Sequence, residues 1–389
     1  MDDFIYQNRT KIIFGRGYET IVGNEIRPYA NKTLLLYGGG SIKKAGLYGR
    51  VLNSLKEAGL EVTELSGVRP NPRLSFVREG IKLCREKGVQ FILAVGGGSV
   101  IDSAKAIAVG VPYKGDVWDF WAGLAEPEKA LPVGVGLTIP AAGSESSISA
   151  VLTNEEGNLK TGLDCMLYRP VFAVMNPELT FTLPPYQTAC GAADIMAHIM
   201  ERYFTNTKDV DLTDRLCEAV LKTVTANAPK VLKEPENYSA RAQIMWAGSL
   251  AHNGLLNTGR LGDWGSHKIE HEISAIYDIA HGAGLAIIFP AWMKYVYKHD
   301  TARFAQFAHR VWDVDDNMFN MQEMALAGIS RLEEYFKSLG LPVRLSQINV
   351  DASRIEEMAD KCTRNDTHPV GQFIKLKRRD VLNILKLAL

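Results

Sequence analysis

The chain has 389 residues, and its 44 lysine and arginine side chains balance 44 aspartate and glutamate side chains. At roughly 150 residues per domain, this length predicts two or three domains. The 46% of hydrophobic and 23% of charged residues are typical of a globular protein and exclude a disordered chain. Because there is no excess of cations to bind phosphates, we expect neither a nucleic-acid partner nor an anionic membrane surface.

The sequence also lacks the signals of export and membrane insertion. No apolar run reaches the roughly 18 residues that a spanning helix needs, and residues 1–9 do not have the regions of a signal peptide. The five cysteines are far apart in the sequence and form no C-x-x-C pair. We therefore expect free thiols and a cytoplasmic protein, without a disulfide framework or a thiolate zinc site.

Short apolar runs alternate with helical patterns from about residue 32 to residue 178. Taken in chain order, strands are predicted at 33–37, 61–65, 91–95, 133–139 and 171–174, with helices at 45–58, at 74–87 and after Ser99. Repetition of strand and helix predicts a parallel sheet whose strands are joined by helical crossovers, with helices on both faces.

The strand signals stop after about Leu183. Pro184 and Pro185 follow, and proline is favoured in the first turn of a helix. Helical periodicity then recurs at 186–204, 210–227, 237–256, 264–276, 282–298, 320–338, 351–362 and 379–388. The sequence thus predicts an α/β domain over 1–182 and an all-helical domain over 183–389, with ligands bound at the carboxyl ends of the strands.

Two of the predicted strands run into a glycine triplet followed by serine, at 38–41 and at 96–99. Such turns let a phosphate approach the backbone amides, and the N-terminus of a following helix favours an anion. Neither triplet matches the G-x-G-x-x-G or P-loop pattern, so simple tight turns remain the alternative. We expect Asp102 in the first turn of the helix that follows the second triplet, where it either compensates the helix dipole or binds an amide-bearing part of a nucleotide.

Acidic and histidine side chains recur at helical spacing in the second half. Asp194 and His198 are four residues apart, His267 and His271 repeat that spacing, and His281 follows. Each pair lies on one face of its helix. Because burying imidazoles and an acid is costly unless they are paired or bound to a cation, the set suits a divalent ion such as zinc or ferrous iron. An ordinary polar pair is the alternative for Asp194 and His198.

Over essentially its whole length the sequence resembles the iron-containing (group III) alcohol dehydrogenases. The resemblance is carried by Gly-Gly-Gly-Ser-x-x-Asp at 96–102, Pro-Asn-Pro at 70–72, Pro-Ala-x-Gly-Ser-Glu at 140–145, Asp-x-x-x-His at 194–198 and the stretch 267–284. The segments 37–44 and 283–292 resemble the branch of butanol dehydrogenases and broad-specificity NADPH-dependent aldehyde reductases.

The resemblance implies a Rossmann-like nucleotide-binding domain and a helical metal-binding domain, the two-domain plan shared with dehydroquinate synthase. It implies hydride transfer between NAD(P)H and small aldehydes or primary alcohols such as butanal and butanol, in a homodimer. By the same resemblance, one Fe²⁺ or Zn²⁺ ion has four ligands, Asp194, His198, His267 and His281. His271 matches a histidine that lines the substrate site and is the candidate proton relay.

The positions that line the nucleotide in the family are also implied by the resemblance. They are Gly38, Gly39, Ser41, Asn71, Gly97, Gly98, Ser99, Asp102, Thr138, Lys160 and Leu179. Two residues depart from the family pattern. Ala142 stands where relatives usually have threonine, which removes a hydroxyl that touches the cofactor, and His252 stands where relatives tend to have a hydrophobic residue.

The residues after the first predicted strand favour NADP as the cofactor, with NAD also accepted. An NAD-selective fold usually places an acid near the end of an early strand, where it repels a 2′-phosphate. Here the strand runs into glycines and Ser41, and Lys43 and Lys44 follow. The residues leave room for the phosphate, can donate to it and can balance its charge. The alternative is a surface turn with solvated lysines.

Two other functions share this two-domain plan. A dehydroquinate synthase-like lyase needs several cations for the phosphate and carboxylate of its substrate, and the helical region offers few beyond Arg241, Arg260 and Lys268. A metal-binding protein without catalytic activity is the second alternative.

Overall fold

The computed structural model describes residues 1–315 and 320–389. Its strands are β1 (Lys11–Phe14), β2 (Lys32–Tyr37), β3 (Glu61–Ser66), β4 (Phe91–Gly96), β5 (Val133–Leu137), β6 (Ser149–Asn154), β7 (Leu159–Asp164) and β8 (Phe172–Met175). Within the described residues, no helix combines the length and the apolar character that crossing a membrane requires.

Helices account for most of the remaining regular structure. In chain order they are α1 (Val22–Ile26), α2 (Ser41–Lys44), α3 (Leu47–Glu57), α4 (Leu74–Lys87), α5 (Gly98–Gly110), α6 (Trp118–Trp121), α7 (Pro185–Tyr203), α8 (Asp211–Lys233), α9 (Tyr238–His252), α10 (Gly265–Tyr277), α11 (His281–Val296), α12 (Thr301–Trp312), α13 (Met321–Ser338), α14 (Ile355–Cys362) and α15 (Arg378–Ala388). Short 3₁₀ turns occupy Tyr18–Ile21, Pro177–Thr180, Leu255–Asn257, Tyr297–His299, Leu345–Ile348 and Ala352–Arg354.

The chain folds into two compact units. The sheet unit contains Gln7–Leu183 and Pro235–Asn253, and the helical unit contains Met1–Tyr6, Pro184–Glu234 and Gly254–Leu389. The main division at Leu183 and Pro184 lies beside the predicted boundary at 182 and 183. The units are not contiguous in sequence, however, because α9 packs with the sheet unit and the first six residues group with the helical unit.

A parallel sheet of six strands organises the sheet unit, in the order β1-β8-β5-β4-β2-β3. Its strands read as nearly continuous apolar runs because both faces are covered. Leu34, Leu36 and Ile92 belong to the core on one face, and Leu35 and Leu93 to the core on the other. The prediction of a parallel α/β fold followed by a helical half is confirmed.

The strand order reverses between β2 and β4. From β2 the chain adds β3 on one side, and β4 then pairs with β2 on the other side, with Tyr37 opposite Val95. In open parallel sheets, ligands bind outside the carboxyl ends of the strands at such a switch point. The first glycine triplet directly follows β2, and the second begins at Gly96, the last residue of β4, so the topology places both at the same edge of the sheet.

Three short strands were not predicted. β1 is an edge strand of four residues in which Ile13 alone is buried, and β6 and β7 form a separate antiparallel pair. In β7 most side chains are only partly buried or exposed, so no apolar run marks it in the sequence. These strands are recognisable only from their pairing partners.

Candidate metal and nucleotide sites

Helix α7 carries the first two residues of the candidate metal site. The side chains of Asp194 and His198 lie one turn apart and are 6% and 5% exposed. Nδ1 of His198 lies 2.9 Å from the backbone carbonyl oxygen of Asp194 and 3.0 Å from its carboxylate Oδ1. The predicted spacing therefore brings the two groups into direct contact.

Helices α10 and α11 bring two further histidines to Asp194. One ligand atom from each of Asp194, His267 and His281 lies within 4.8 Å of the others. His281 is the first residue of α11, and its Nε2 is 3.9 Å from Oδ1 of Asp194. The ring of His198 joins them, with its centroid 4.6 Å from that of His267. All four predicted ligands are thus neighbours in the helical unit.

Gly282 explains why α11 can begin so close to α7. A Cβ atom at this position would lie 2.0 Å from the backbone oxygen of Cys190, one turn before Asp194. Any side chain here would push the two helices apart. The glycine therefore brings the His281 end of α11 against the segment of α7 that carries the carboxylate.

The electrostatics of the cluster favour a bound cation. Burial raises the pKa of Asp194, but the imidazoles of His198, His281 and His267 lower it more, so its pKa lies well below the ordinary value. Burial also lowers the pKa of His267 well below its ordinary value. An ionised carboxylate beside a neutral imidazole is the protonation state that metal ligation requires.

An unpaired buried atom supports the same interpretation. Nε2 of His267 is buried and has no hydrogen-bond partner among the described residues, whereas its Nδ1 lies 2.7 Å from Oε1 of Glu201. A buried nitrogen without a partner is costly. One carboxylate and three imidazoles are a donor set that Zn²⁺ and Fe²⁺ accept, so the residues present fit a divalent ion.

His271 lies one turn after His267 on α10. It is 7% exposed, and its ring centroid is 5.6 Å from that of His281. It also belongs to a second group, with Glu270 and His281, whose ligand atoms all lie within 4.8 Å of one another. The structure therefore places His271, the candidate proton relay, beside the candidate metal ligand His281.

The predicted nucleotide-lining residues lie mainly where parallel strands end. Gly38, Gly39 and Ser41 follow β2, Asn71 follows β3, Gly97, Gly98, Ser99 and Asp102 follow β4, Thr138 follows β5, and Leu179 follows β8. The backbone nitrogen of Thr138 donates to Gly96 at 3.0 Å, which ties β5 to the glycine turn. Lys160 is the exception, since it lies in β7.

The turn into α5 has the geometry of an anion site. Helix α5 begins at Gly98, and in the part of the chain that the structure describes no side chain caps its N-terminus. A Cβ at Gly97 would lie 3.1 Å from Ile139, and one at Gly98 would lie 3.4 Å from Cβ of Ala142. The exposed amides and the helix dipole are thus available to a phosphate group.

The expectation that Asp102 lies in the first helical turn is wrong. Because α5 begins at Gly98, Asp102 is its fifth residue. Its carboxylate is buried and accepts from Oγ of Ser144 at 2.5 Å and from the backbone nitrogen of Val151 at 2.9 Å. Burial raises its pKa, against the opposing charges of Lys105 and Lys160.

The two residues that depart from the family pattern contact each other. Nδ1 of His252, the last residue of α9, lies 2.8 Å from the backbone oxygen of Ala142. At the adjacent Gly143, which has a φ of +62°, a Cβ would lie 2.7 Å from Cβ of His252. His252 thus anchors the loop whose Ala142 packs beside Gly98.

Near the end of β2, an acidic side chain is present but engaged. Glu64 of β3 accepts hydrogen bonds from the hydroxyls of Tyr37 and Tyr48 at 3.0 and 2.8 Å. Nζ of Lys43 lies 4.8 Å from the centroid of the Tyr48 ring. Gly39 is exposed, and no described atom lies within 4 Å of a Cβ built there.

The sequence analysis missed two carboxylates that contact the candidate metal ligands. Glu201 hydrogen-bonds to His267, and Glu270 hydrogen-bonds to His281. Their spacing was a usable signal, because Glu201 falls seven residues after Asp194 and Glu270 falls three residues after His267. Both intervals return to the same face of a helix.

Comparison with known families accounts for nearly the whole chain. Residues 9–177 match the model of iron-containing alcohol dehydrogenases, and residues 188–389 match the C-terminal model of the same family. The chain belongs to the iron-containing alcohol dehydrogenase family. The predictions of this family and of an alcohol dehydrogenase enzyme are therefore confirmed.

Individual members of this dehydrogenase family match over 96% or more of their length. The chain is 47% identical to the probable NADH-dependent butanol dehydrogenase 2 of Bacillus subtilis, with 100% of both chains covered. It is 38% identical to the NADPH-dependent aldehyde reductase YqhD of Escherichia coli, with 96% of each covered. The crystal structure of NADH-dependent butanol dehydrogenase A from Thermotoga maritima superposes with a TM-score of 0.96 at 41% identity, covering 100% and 99% of the chains. These relatives confirm the predicted branch.

Proposed function

We propose that this dehydrogenase reduces small aldehydes such as butanal to primary alcohols with NAD(P)H, and catalyses the reverse oxidation. The observation that carries the proposal is the contact of Asp194 with three buried or partly buried histidines in a chain of this family. The names of the relatives, butanol dehydrogenases and an aldehyde reductase, support the substrate class.

Asp194, His198, His267 and His281 are the proposed ligands of one Fe²⁺ or Zn²⁺ ion. When bound, such an ion supplies Lewis-acid chemistry, which polarises a carbonyl and favours an alkoxide. The contribution of the four side chains is to present an anionic oxygen and three nitrogens at fixed positions. The burial of Asp194, His198 and His267 also restricts the access of water to the reacting carbonyl.

His271 is the proposed proton donor to the alkoxide oxygen. It lies on the same face of α10 as His267 and next to His281, so its imidazole is near the proposed substrate oxygen. General acid–base catalysis by such a group contributes about 10²–10⁴-fold to a rate. In the oxidation direction the same imidazole accepts the proton.

The sheet unit is the proposed nucleotide-binding unit. The pyrophosphate binds at the amides of Gly97, Gly98 and Ser99 and at the N-terminus of α5. The other predicted residues are proposed to line the rest of the nucleotide. They follow β2, β3, β5 and β8, except Lys160, which lies in β7. The nicotinamide supplies the hydride, while these residues hold and orient it.

We further propose that NADPH is used at least as well as NADH. Some relatives are named NADH-dependent and another NADPH-dependent, so their names do not decide the cofactor. The support comes instead from the residues at the end of β2. Gly39 leaves space there, Ser41 is exposed, and Glu64 is engaged by two tyrosine hydroxyls. A 2′-phosphate therefore meets a hydroxyl and Lys43 rather than a free carboxylate.

The lyase alternative has less support. Arg260 is buried and pairs with Asp214 at 2.8 Å, and Arg241 donates to the backbone oxygen of Pro235. Arg241 and Arg260 therefore stabilise the fold. Of the three cations considered for a lyase substrate, Lys268 is the exposed one. A substrate that carries both a phosphate and a carboxylate needs more positive charge than this.

A homodimer in the cytoplasm is the remaining part of the proposal. All five cysteines are free in the structure, and three of them are buried, which suits a reducing compartment. The dimer is proposed from the resemblance to the family. Light scattering of the purified protein at several concentrations measures its molar mass, and a monomer throughout would contradict the dimer.

The proposed activity is tested by the oxidation of NADPH or NADH on addition of butanal. The protein is stripped of metal, reconstituted with Fe²⁺ or Zn²⁺ without oxygen, and assayed in each state. We expect turnover that depends on the ion and on the aldehyde. A protein that binds the ion and the nucleotide but reduces no aldehyde would instead support the non-catalytic alternative.

A further inference from the structure

Two glutamates lie fully buried against the candidate metal cluster. The side chains of Glu201 on α7 and Glu270 on α10 are both 0% exposed. Neither is a proposed ligand, yet each contacts one of the ligand histidines. Buried carboxylates are costly unless every oxygen is paired, so their placement needs a physical reason.

Glu201 joins His267 to the start of its helix. Its Oε1 accepts from Nδ1 of His267 at 2.7 Å and from the backbone nitrogen of that residue at 3.0 Å. Its Oε2 accepts from the backbone nitrogen of Trp264 at 2.6 Å. Trp264 precedes α10 with a φ of +67°, a strained value for a tryptophan. One carboxylate thus fixes both the first turn of α10 and the ring of His267.

Glu270 holds His281 in a matching way. Its Oε2 bonds to Nδ1 of His281, and its Oε1 accepts from the hydroxyl of Ser274. Gly284 makes room for this carboxylate, because a Cβ there would lie 2.5 Å from Oε1 of Glu270. The absence of a side chain at 284, one turn from His281, is therefore part of the same arrangement.

The two contacts determine which nitrogen each histidine presents. When Nδ1–H donates to a carboxylate, Nε2 carries the lone pair. Nε2 of His267 is the buried atom without a partner among the described residues, and Nε2 of His281 lies 3.9 Å from Asp194. In both histidines Nε2 is therefore the basic nitrogen that is available to an ion beside Asp194.

We propose that Glu201 and Glu270 are positioning residues that set the tautomer and orientation of His267 and His281 for metal binding. The proposal rests on the proposed metal centre and extends it to the carboxylates behind the ligands. Partners of this kind typically change metal affinity by about 10–100-fold. Glu270 as a direct ligand of a second ion, with His271 and His281, is the competing interpretation.

The test is a Zn²⁺ titration of the metal-free full-length chain against a chromophoric chelator, with elemental analysis of the ions bound per chain. In Glu201→Met the contacts with His267 and with Trp264 are all lost. In Glu270→Met both contacts are lost. In Glu270→Gln the amide oxygen can still accept from His281 while the NH₂ group donates to Ser274.

We expect one Zn²⁺ per natural chain and a dissociation constant about 10–100-fold higher in Glu201→Met and Glu270→Met, with Glu270→Gln much less affected. Glu333→Gln is the matched control. Glu333 is a buried carboxylate of the same unit, paired with Lys294. Lys294 lies thirteen residues after His281 on α11, a distance of about 20 Å along the helix.

Other results would overturn the inference in distinguishable ways. Unchanged affinity in both Glu201→Met and Glu270→Met, with lower melting temperatures, would show that the carboxylates only stabilise the fold. Two ions per natural chain, falling to one in Glu270→Met, would make Glu270 a ligand. A natural chain that binds no Zn²⁺ or Fe²⁺ would contradict the metal centre itself. If Glu201→Met does not fold, the comparison of the two variants at 270 decides the question.

Discussion

At the scale of the residue, His271 separates proton transfer from metal binding. We expect His271→Asn to lower the turnover of butanal by about 10²–10⁴-fold while metal content is retained. The reason is that His267 and His281 already lie beside Asp194, whereas the ring of His271 neighbours that of His281. Parallel measurement of kcat and bound metal checks this. Loss of the ion would make His271 a ligand, and unchanged turnover would make it a packing residue.

Gly39 offers a direct test of cofactor choice. We expect Gly39→Asp to shift the preference toward NADH, because the new carboxylate would repel a 2′-phosphate. The site is exposed and no described atom obstructs a Cβ there, so folding is preserved. The ratio of kcat/KM for NADPH and NADH with one aldehyde measures the shift.

Gly49→Asp is the matched control for that substitution. Gly49 is exposed on α3 and has equally free space, but it does not follow β2. The ratio of kcat/KM for NADPH and NADH in Gly49→Asp should equal that of the natural protein. A natural protein that favours NADH by tenfold or more, about 1.4 kcal/mol, would contradict the proposed NADPH preference.

At the scale of the element, Lys105 ties helix α5 to the segment before β6. Its buried Nζ donates to Oγ of Ser144 at 2.8 Å and to the backbone oxygen of Ser149 at 2.7 Å. Ser144 in turn donates to Asp102. Helix α5, which begins at Gly98, is thereby joined to the loop that carries Ala142.

Burial lowers the pKa of Lys105 to about 8, from an ordinary value of 10.5. Between these two pH values the unfolded chain carries a proton on Lys105 that the folded chain lacks. The unfolding free energy of the natural protein, relative to Lys105→Met, therefore rises with pH across this window, by at most about 1.4 kcal/mol per pH unit.

Urea unfolding of both proteins at pH 7.5, 9 and 10 measures this difference. Lys82→Met, which replaces a side chain that is 78% exposed on α4, is the control and should show no such trend. A difference between the natural protein and Lys105→Met that stays constant over the three pH values would contradict the lowered pKa of Lys105.

Elements were predictable from the sequence where one local pattern determines them. The buried run at 91–95 and the helical period at 186–204 correspond closely to β4 and α7. β6 and β7 were missed because they form a separate antiparallel pair, and most side chains of β7 are partly buried or exposed. Asp102 was misplaced because the helix begins inside the glycine triplet, at Gly98, rather than after Ser99.

At the scale of the whole molecule, the candidate site was predictable in part for the same reason. Asp194 and His198 share a helix, so their spacing already places them together. His281 reaches them only because α11 packs closely on α7 at Gly282, a tertiary contact that spacing does not reveal. The carboxylates of Glu201 and Glu270 and the contact of His252 with Ala142 likewise depend on packing between helices or loops.

We propose that one divalent ion, held by Asp194, His198, His267 and His281, is required for aldehyde reduction. The measurement that tests it most directly is metal content and NADPH-dependent butanal turnover in His267→Ala, purified without oxygen, beside the exposed-histidine control His368→Ala. We expect one ion and full activity in the natural protein and the control, and the loss of both in His267→Ala. Full metal occupancy together with full turnover in His267→Ala would contradict it.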